Sequence, residues 1–175
     1  ADEKKKSGET SDGLYGRTEK EKAHDLRVMG EVFFNEHEVA TIAVLCDLIL
    51  PASTSAGSAV DAGVPEFISF IARDIQSHQL PLRGGMMWLD HESTKRFSQA
   101  FILCSVDQQK QLLDTIAYPD DAAPESAQGV KFFTLMRNLV LTGYYTSRMG
   151  IDDLGYQGNT PNAWDGVPDS VLAKH

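Results

Sequence analysis

The sequence predicts an all-α fold, and three observations carry that prediction. Apolar residues recur at helical spacing in two long stretches, Val39 to Ile49 and Phe132 to Tyr144. Three cap boxes stand directly before periodic stretches: Thr18-x-x-Glu21, Asn35-x-x-Glu38 and Ser105-x-x-Gln108. No segment alternates apolar and polar residues as a half-buried strand would. We expect one compact helical domain of about five to six helices over residues 17–175. A flexible, charged tether at 1–16 precedes it, and its last part is an ordered but irregular tail.

Thr18 opens the first helix, which runs to about Glu31 with Ala23, Leu26, Val28 and Met29 as its narrow apolar stripe. So thin a stripe places it on the surface. Asn35 caps the second helix. Val39, Ile42, Ala43, Cys46 and Ile49 line one face, and Val44, Leu45 and Leu48 widen it almost to a full circle, which belongs at the centre of a domain. Pro51 stops this helix, a Ser/Thr/Gly loop returns the chain to Gly63, and Pro65 sits in the first turn of the third, with Phe67, Ile68, Ile71 and Ile75 inward. The rest of the chain is expected to pack around this hairpin.

His78, Leu80, Pro81 and Gly84-Gly85 read as a break before a fourth helix, about Met86 to Phe101, with Met87, Leu89, Phe97 and Phe101 apolar. Ser105 caps a short fifth helix with Leu112, Leu113 and Ile116 inward, and Pro119 ends it. The residues from Asp120 to Gln128 are a connecting loop. Val130 to Tyr145 is the second strongly apolar helix, with Phe132, Phe133, Met136, Leu139, Val140 and Tyr144 on a broad face and Gly143 suited to close packing. After Ser147 the periodicity ends. Glycines at 150, 155, 158 and 166, with Pro161 and Pro168, mark the irregular tail, and only Ser170 to Lys174 looks helical.

The chain has 175 residues, 42% of them hydrophobic, and 16 Lys plus Arg against 25 Asp plus Glu, for a formal charge of −9. Its one basic cluster, Lys4 to Lys6, lies among Asp2, Glu3 and Glu9, so a phosphate-binding surface is not expected and nucleic acid is not a partner. No apolar run approaches the ~20 residues that span a bilayer. The opening segment resembles the tethers that follow a removed export signal or a lipid anchor. On that ground the folded part is expected outside the cytoplasm, periplasmic or in the cell envelope. Cys46 and Cys104 lie on apolar helical stretches, where they serve either as buried free thiols or as a bridge between two helices.

The possible chemistry is thin. A di-metal bundle needs two Glu-x-x-His pairs and two further inward Glu residues, whereas Glu21-x-x-His24 is the one such pair and Glu21 already caps a helix. No metal site is expected. Ser147 or Cys104 could find a base in His37 or His91, but neither lies in a nucleophile turn such as Gly-x-Ser-x-Gly. No catalytic residue is assigned. Gly84-Gly85 lacks the spacing of a phosphate or dinucleotide loop, so no cofactor-binding residue is assigned to this chain either. The tail says more. Long irregular segments in a helical domain are usually functional or disordered, and Tyr145, Tyr156 and Trp164, with Asn159, are residue types suited to a partner interface. The same tail could instead wrap over its own helices and cover Phe132 and Phe133; the two arrangements are compatible.

Three stretches, FFNEHEVATIAVLCDLILP, AVDAGVPEFISF and FFTLMRNLVLTGYYTSRMGIDDLGYQGNTPNAWDGV, together resemble the gluconate 2-dehydrogenase subunit 3 family from Phe33 to Val167. The resemblance implies a small, non-catalytic subunit of exported, flavin-dependent sugar or polyol dehydrogenases. In such complexes a large subunit holds FAD and oxidises the sugar, and a cytochrome c subunit carries electrons away. The small subunit assists stability, maturation and export, often by bearing a twin-arginine signal; no Arg-Arg pair opens this sequence. No haem motif appears, as expected if the chemistry lies in the partner. The competing expectation is a stand-alone enzyme, or a ligand- or metal-binding protein, with a pocket between helices built on His37, Glu38 and Asp61.

Overall fold

The computed structural model describes residues 16–158. Among them are seven α-helices and no strand: α1 (Glu19–Gly30), α2 (Glu36–Ile49), α3 (Val64–Asp74), α4 (Gln79–Phe97), α5 (Val106–Ala117), α6 (Ala127–Thr146) and α7 (Arg148–Asp153). Single 3-10 turns at Gln76–His78, Phe101–Leu103 and Pro124–Ser126 join some of them. All three cap boxes form. At α2 the Asn35 side chain accepts from Glu38 N at 2.8 Å, and the Glu38 carboxylate accepts from Asn35 N at 2.9 Å. The boxes at Thr18 and Ser105 close the same way, and each relieves two N–H groups that a helix start otherwise leaves unpaired.

The centre of the fold is α6, not the α2–α3 hairpin expected to hold that place. It packs against α2, α3, α4, α5 and α7. All six apolar residues expected on its broad face are buried, Met136 and Val140 completely. The hairpin is only half immersed: α2 buries Thr41, Ile42, Leu45 and Cys46, but Val39 is exposed, as is Ile75 at the end of α3. A nearly all-apolar sequence on α2 overstated its burial because Glu36, His37 and Asp47 occupy the outer face with Val39.

Close approach to α6 depends on glycine. A Cβ added at Gly85 of α4 would lie 1.9 Å from Cδ2 and 2.6 Å from Cβ of Phe132 on α6. Reciprocally, a Cβ at Gly129 of α6 would lie 2.5 Å from Cη2 of Trp88 on α4. The positions rise along α4 while they fall along α6, so the two helices run antiparallel with a ring of each seated on a glycine of the other. Gly143 makes a third such approach, where a Cβ would meet Phe67 of α3 at 2.7 Å, in line with the close packing expected there.

The expected break at residues 78–85 does not occur. The Gln79 helix passes through Pro81 and both glycines. Pro81 is its third residue, where no intrahelical N–H bond exists to be lost. Gly85 is kept for packing rather than for a turn. With α4 thus begun seven residues early, Leu82, Met86, Leu89 and Ser93 face inward and Met87 points out. The helix stops at Phe97, where Ser98 adopts a left-handed conformation (φ 60°), and Phe101 is buried from the following 3-10 turn.

The N-terminal helices are clasped on by polar pairs. Arg83 of α4 donates from Nε to Glu38 Oε1 at 2.6 Å and from a terminal nitrogen to the Phe33 carbonyl at 2.7 Å, while its guanidinium lies 4.2 Å above the Phe33 ring. His37 of α2 meets Asp90 of α4 at 2.6 Å, and His24 of α1 meets Asp74 of α3 at the same distance.

Candidate docking surface

The chain beyond Ser147, expected to be irregular, folds first into α7. Ser147 donates its hydroxyl to the Tyr144 carbonyl at 2.6 Å and accepts from Gly150 N at 3.1 Å, ending one helix and capping the next. Gly150 lets α7 turn back against α6, since a Cβ there would sit 2.1 Å from the Tyr144 carbonyl oxygen. The loop after Pro51 is tied to this corner. Tyr144 donates its hydroxyl to the Gly57 carbonyl at 3.2 Å, and Ser55 donates to Asp153 Oδ1 at 3.2 Å. Burial pushes the Tyr144 hydroxyl pKa up, and Asp153 and then Tyr145 push it the same way.

Two features of the corner face outward. One is apolar: Tyr145, Ile151, Leu154 and Tyr156, which are 37%, 36%, 62% and 68% exposed, all lie within twelve residues of chain. Single exposed apolar residues are ordinary, and four within so short a stretch make this corner the candidate surface. Tyr145 is held edge-on against Tyr144, ring centres 5.1 Å apart, which fixes its orientation. The other is a cleft of about 720 Å³ between the 51–63 loop and α7. Asp61, Asp152 and Asp153 line it, with Met149 and Ala62 as apolar wall and Arg148 as its single cation. Asp61 is fixed by a turn in which its carboxylate accepts from Ser58 N at 2.8 Å.

Of the residues expected to dock a partner, Tyr145 near the end of α6 and Tyr156 after α7 are exposed, while Asn159 and Trp164 lie outside the described residues. Ile151 and Leu154 were missed. Their signal was present: a serine cap at Ser147 followed by apolar residues three apart, too short to register as periodicity.

The alternative constellations do not assemble. His37 and Glu38 face α4, where Asp90 and Arg83 engage them, and Asp61 belongs to the Ser58 turn. Glu21 closes its cap box and His24 pairs with Asp74. Cys46 and Cys104 are free, buried thiols rather than a bridge. Burial, then the neighbouring Asp47 and Glu66, push the Cys46 pKa up to about 12. Cys104 Sγ lies 2.9 Å from the Ser93 hydroxyl.

The model for gluconate 2-dehydrogenase subunit 3 matches residues 36–166, from the first residue of α2 past the whole of α7. No curated protein and no solved structure matches the chain. The match takes in α6, both helices of the reciprocal glycine contact and the exposed corner at α7. The chain belongs to the gluconate 2-dehydrogenase subunit 3 family, whose name makes it a subunit of a multi-subunit gluconate dehydrogenase complex.

Proposed function

We propose that this chain is a non-catalytic accessory subunit that binds and stabilises the large, flavin-dependent subunit of a sugar or polyol dehydrogenase in the cell envelope. The observation that carries the reading is the group of exposed apolar residues at the α6–α7 corner, inside the region that the family defines. FAD belongs to the partner in this reading, and a cytochrome c subunit is the outlet for electrons. The accessory chain acts by binding only the folded large subunit. At a free concentration of about one hundred times Kd, that linkage stabilises the partner by about 2.7 kcal/mol. Asn159 and Trp164 belong to this reading as expected contributors to partner binding.

The test is affinity capture of the chain from its native envelope, with identification of the co-purifying protein and a visible spectrum of the eluate. A flavoprotein recovered with the wild type and lost with Leu154→Asp plus Tyr156→Asp supports the reading. A lone, colourless protein refutes it. A stoichiometric metal ion in that lone protein would favour the stand-alone ligand-binding alternative.

A further inference from the structure

The first turns of α4 and α6 line a second groove, of about 460 Å³. Leu80, Pro81 and the Gly84-Gly85 pair form its α4 side, and α6 contributes Phe132 and Lys131. Leu80 stands 81% exposed. Over Gly84 an added Cβ would find only Gln128 Nε2, 4.0 Å away, so the groove reaches down to the α4 backbone there. At Gly85 the Phe132 ring fills the corresponding space. Lys131 is the one charged residue of the lining; it is exposed and has no ion-pair partner among the described residues. The groove is thus apolar, floored in part by backbone, and edged by a single cation.

We propose that the chain covers this groove itself, with residues 166–172, Gly-Val-Pro-Asp-Ser-Val-Leu, of its C-terminal segment. Val167, Val171 and Leu172 lie against Leu80, Pro81 and Phe132, and Asp169 stands beside Lys131. Reach permits it. The chain turns back along α6 at the Tyr144 carbonyl, and Phe132 lies twelve residues down that helix, about 18 Å away along its axis. Nine residues carry the chain from Gly158 to Val167, and they extend to roughly 30 Å. Charge selects this occupant over the others at hand. Residues 159–173 carry Asp165 and Asp169 and no cation. Residues 1–15 would instead bring Lys4, Lys5 and Lys6 to a lysine. A second copy would set one chain of formal charge −9 against another. The exposed Asp169–Lys131 approach contributes little energy of its own; apolar contact holds the segment. Because the segment is tethered, its local concentration is about millimolar, and contacts too weak to hold a separate peptide suffice.

The experiment attaches a nitroxide to Ser170→Cys in the full chain, whose own Cys46 and Cys104 are buried from the reagent, and follows the backbone amide signals by magnetic resonance. We expect the label to broaden Gly84, Gly85 and Lys131. Asp107 and Gln108 should stay sharp, because the Gln99–Gln108 bond sets them at the far end of α4. Leu80→Asp with Lys131→Glu changes two exposed side chains and should restore the groove signals. Lys131→Glu alone should restore them in part, more at low salt than at high. Sharp groove signals in the labelled chain, or equal broadening at the groove and at Asp107, overturn the assignment. So does broadening that survives the double variant. A mixture of labelled chain with isotope-enriched, unlabelled chain separates the remaining case: broadened groove signals in the enriched chain mean that a second copy is the occupant, and overturn it as well.

Discussion

Alanine at Gly85 would bring a methyl carbon to 1.9 Å from the Phe132 ring and 2.6 Å from its Cβ. The second distance decides the outcome. A ring can turn away, but a Cβ is fixed to the backbone, so α4 and α6 must separate. Overpacking of this kind costs about 1–3 kcal/mol or more, and exchanging glycine for alanine in a helix returns only ~1 kcal/mol. Because rotamer relief is blocked, we place the net loss near 2 kcal/mol, which for a chain of this size lowers Tm by about 4–8 °C. The neighbouring residue supplies the control. At Gly84 an added Cβ meets only Gln128 Nε2, at 4.0 Å. Gly84→Ala should therefore keep its propensity gain and raise Tm by about 2–4 °C. Calorimetric melts of the two variants beside wild type are the assay. Shifts of the same sign, or a Gly85→Ala protein as stable as wild type, would refute the view that close backbone approach, rather than a need for a bend, explains the glycine pair.

Two further outcomes are expected. Arg83 holds the Glu38 carboxyl below its ordinary value of 4.5, with the Asn35 backbone N–H helping after burial has opposed them. A lowered folded-state pKa means stability present above about 4.5 and lost as pH falls through the lowered value. Glu38→Gln should cost roughly 1–2 kcal/mol at pH 7, discounted for the half-exposed Arg83, and the gap from wild type should narrow as pH falls below 4.5 through the lowered value; a gap that stays constant as the pH falls would contradict the ion pair. For the cysteines, a thiol-specific reagent should find neither Cys46 nor Cys104 in the native protein and both after unfolding in denaturant. No reactive thiol in the unfolded, unreduced sample would mean that the two cysteines form a bridge.

Caps and long apolar faces were legible in the sequence because each is a local device. Thr18, Asn35 and Ser105 bond to residues three positions away, and the six inward residues of α6 repeat at a spacing that only a helix explains. What escaped was information held between segments. Gly84-Gly85 looks like punctuation until Phe132, forty-seven positions later, is seen against Gly85. Val39 and Met87 are apolar yet exposed, because which side of a helix faces inward depends on neighbours that spacing does not name. At the α6–α7 corner, Tyr145 and Tyr156 were visible as residue types. The acidic cleft joins a loop near Asp61 to a helix near Asp152, and no motif links segments ninety residues apart.

The paired contacts Gly85–Phe132 and Trp88–Gly129 act as a key as well as a close fit. Were α6 to dock one turn out of place along α4, Trp88 would face Glu125 or Phe133 instead of Gly129, and Gly85 would lose its ring to Gln128 or Met136. Either slip drives an indole into a side chain, so misregistered pairings of these two long, similar helices are expelled in both directions. Such a key lets the chain hold one arrangement of its helices by its own contacts alone.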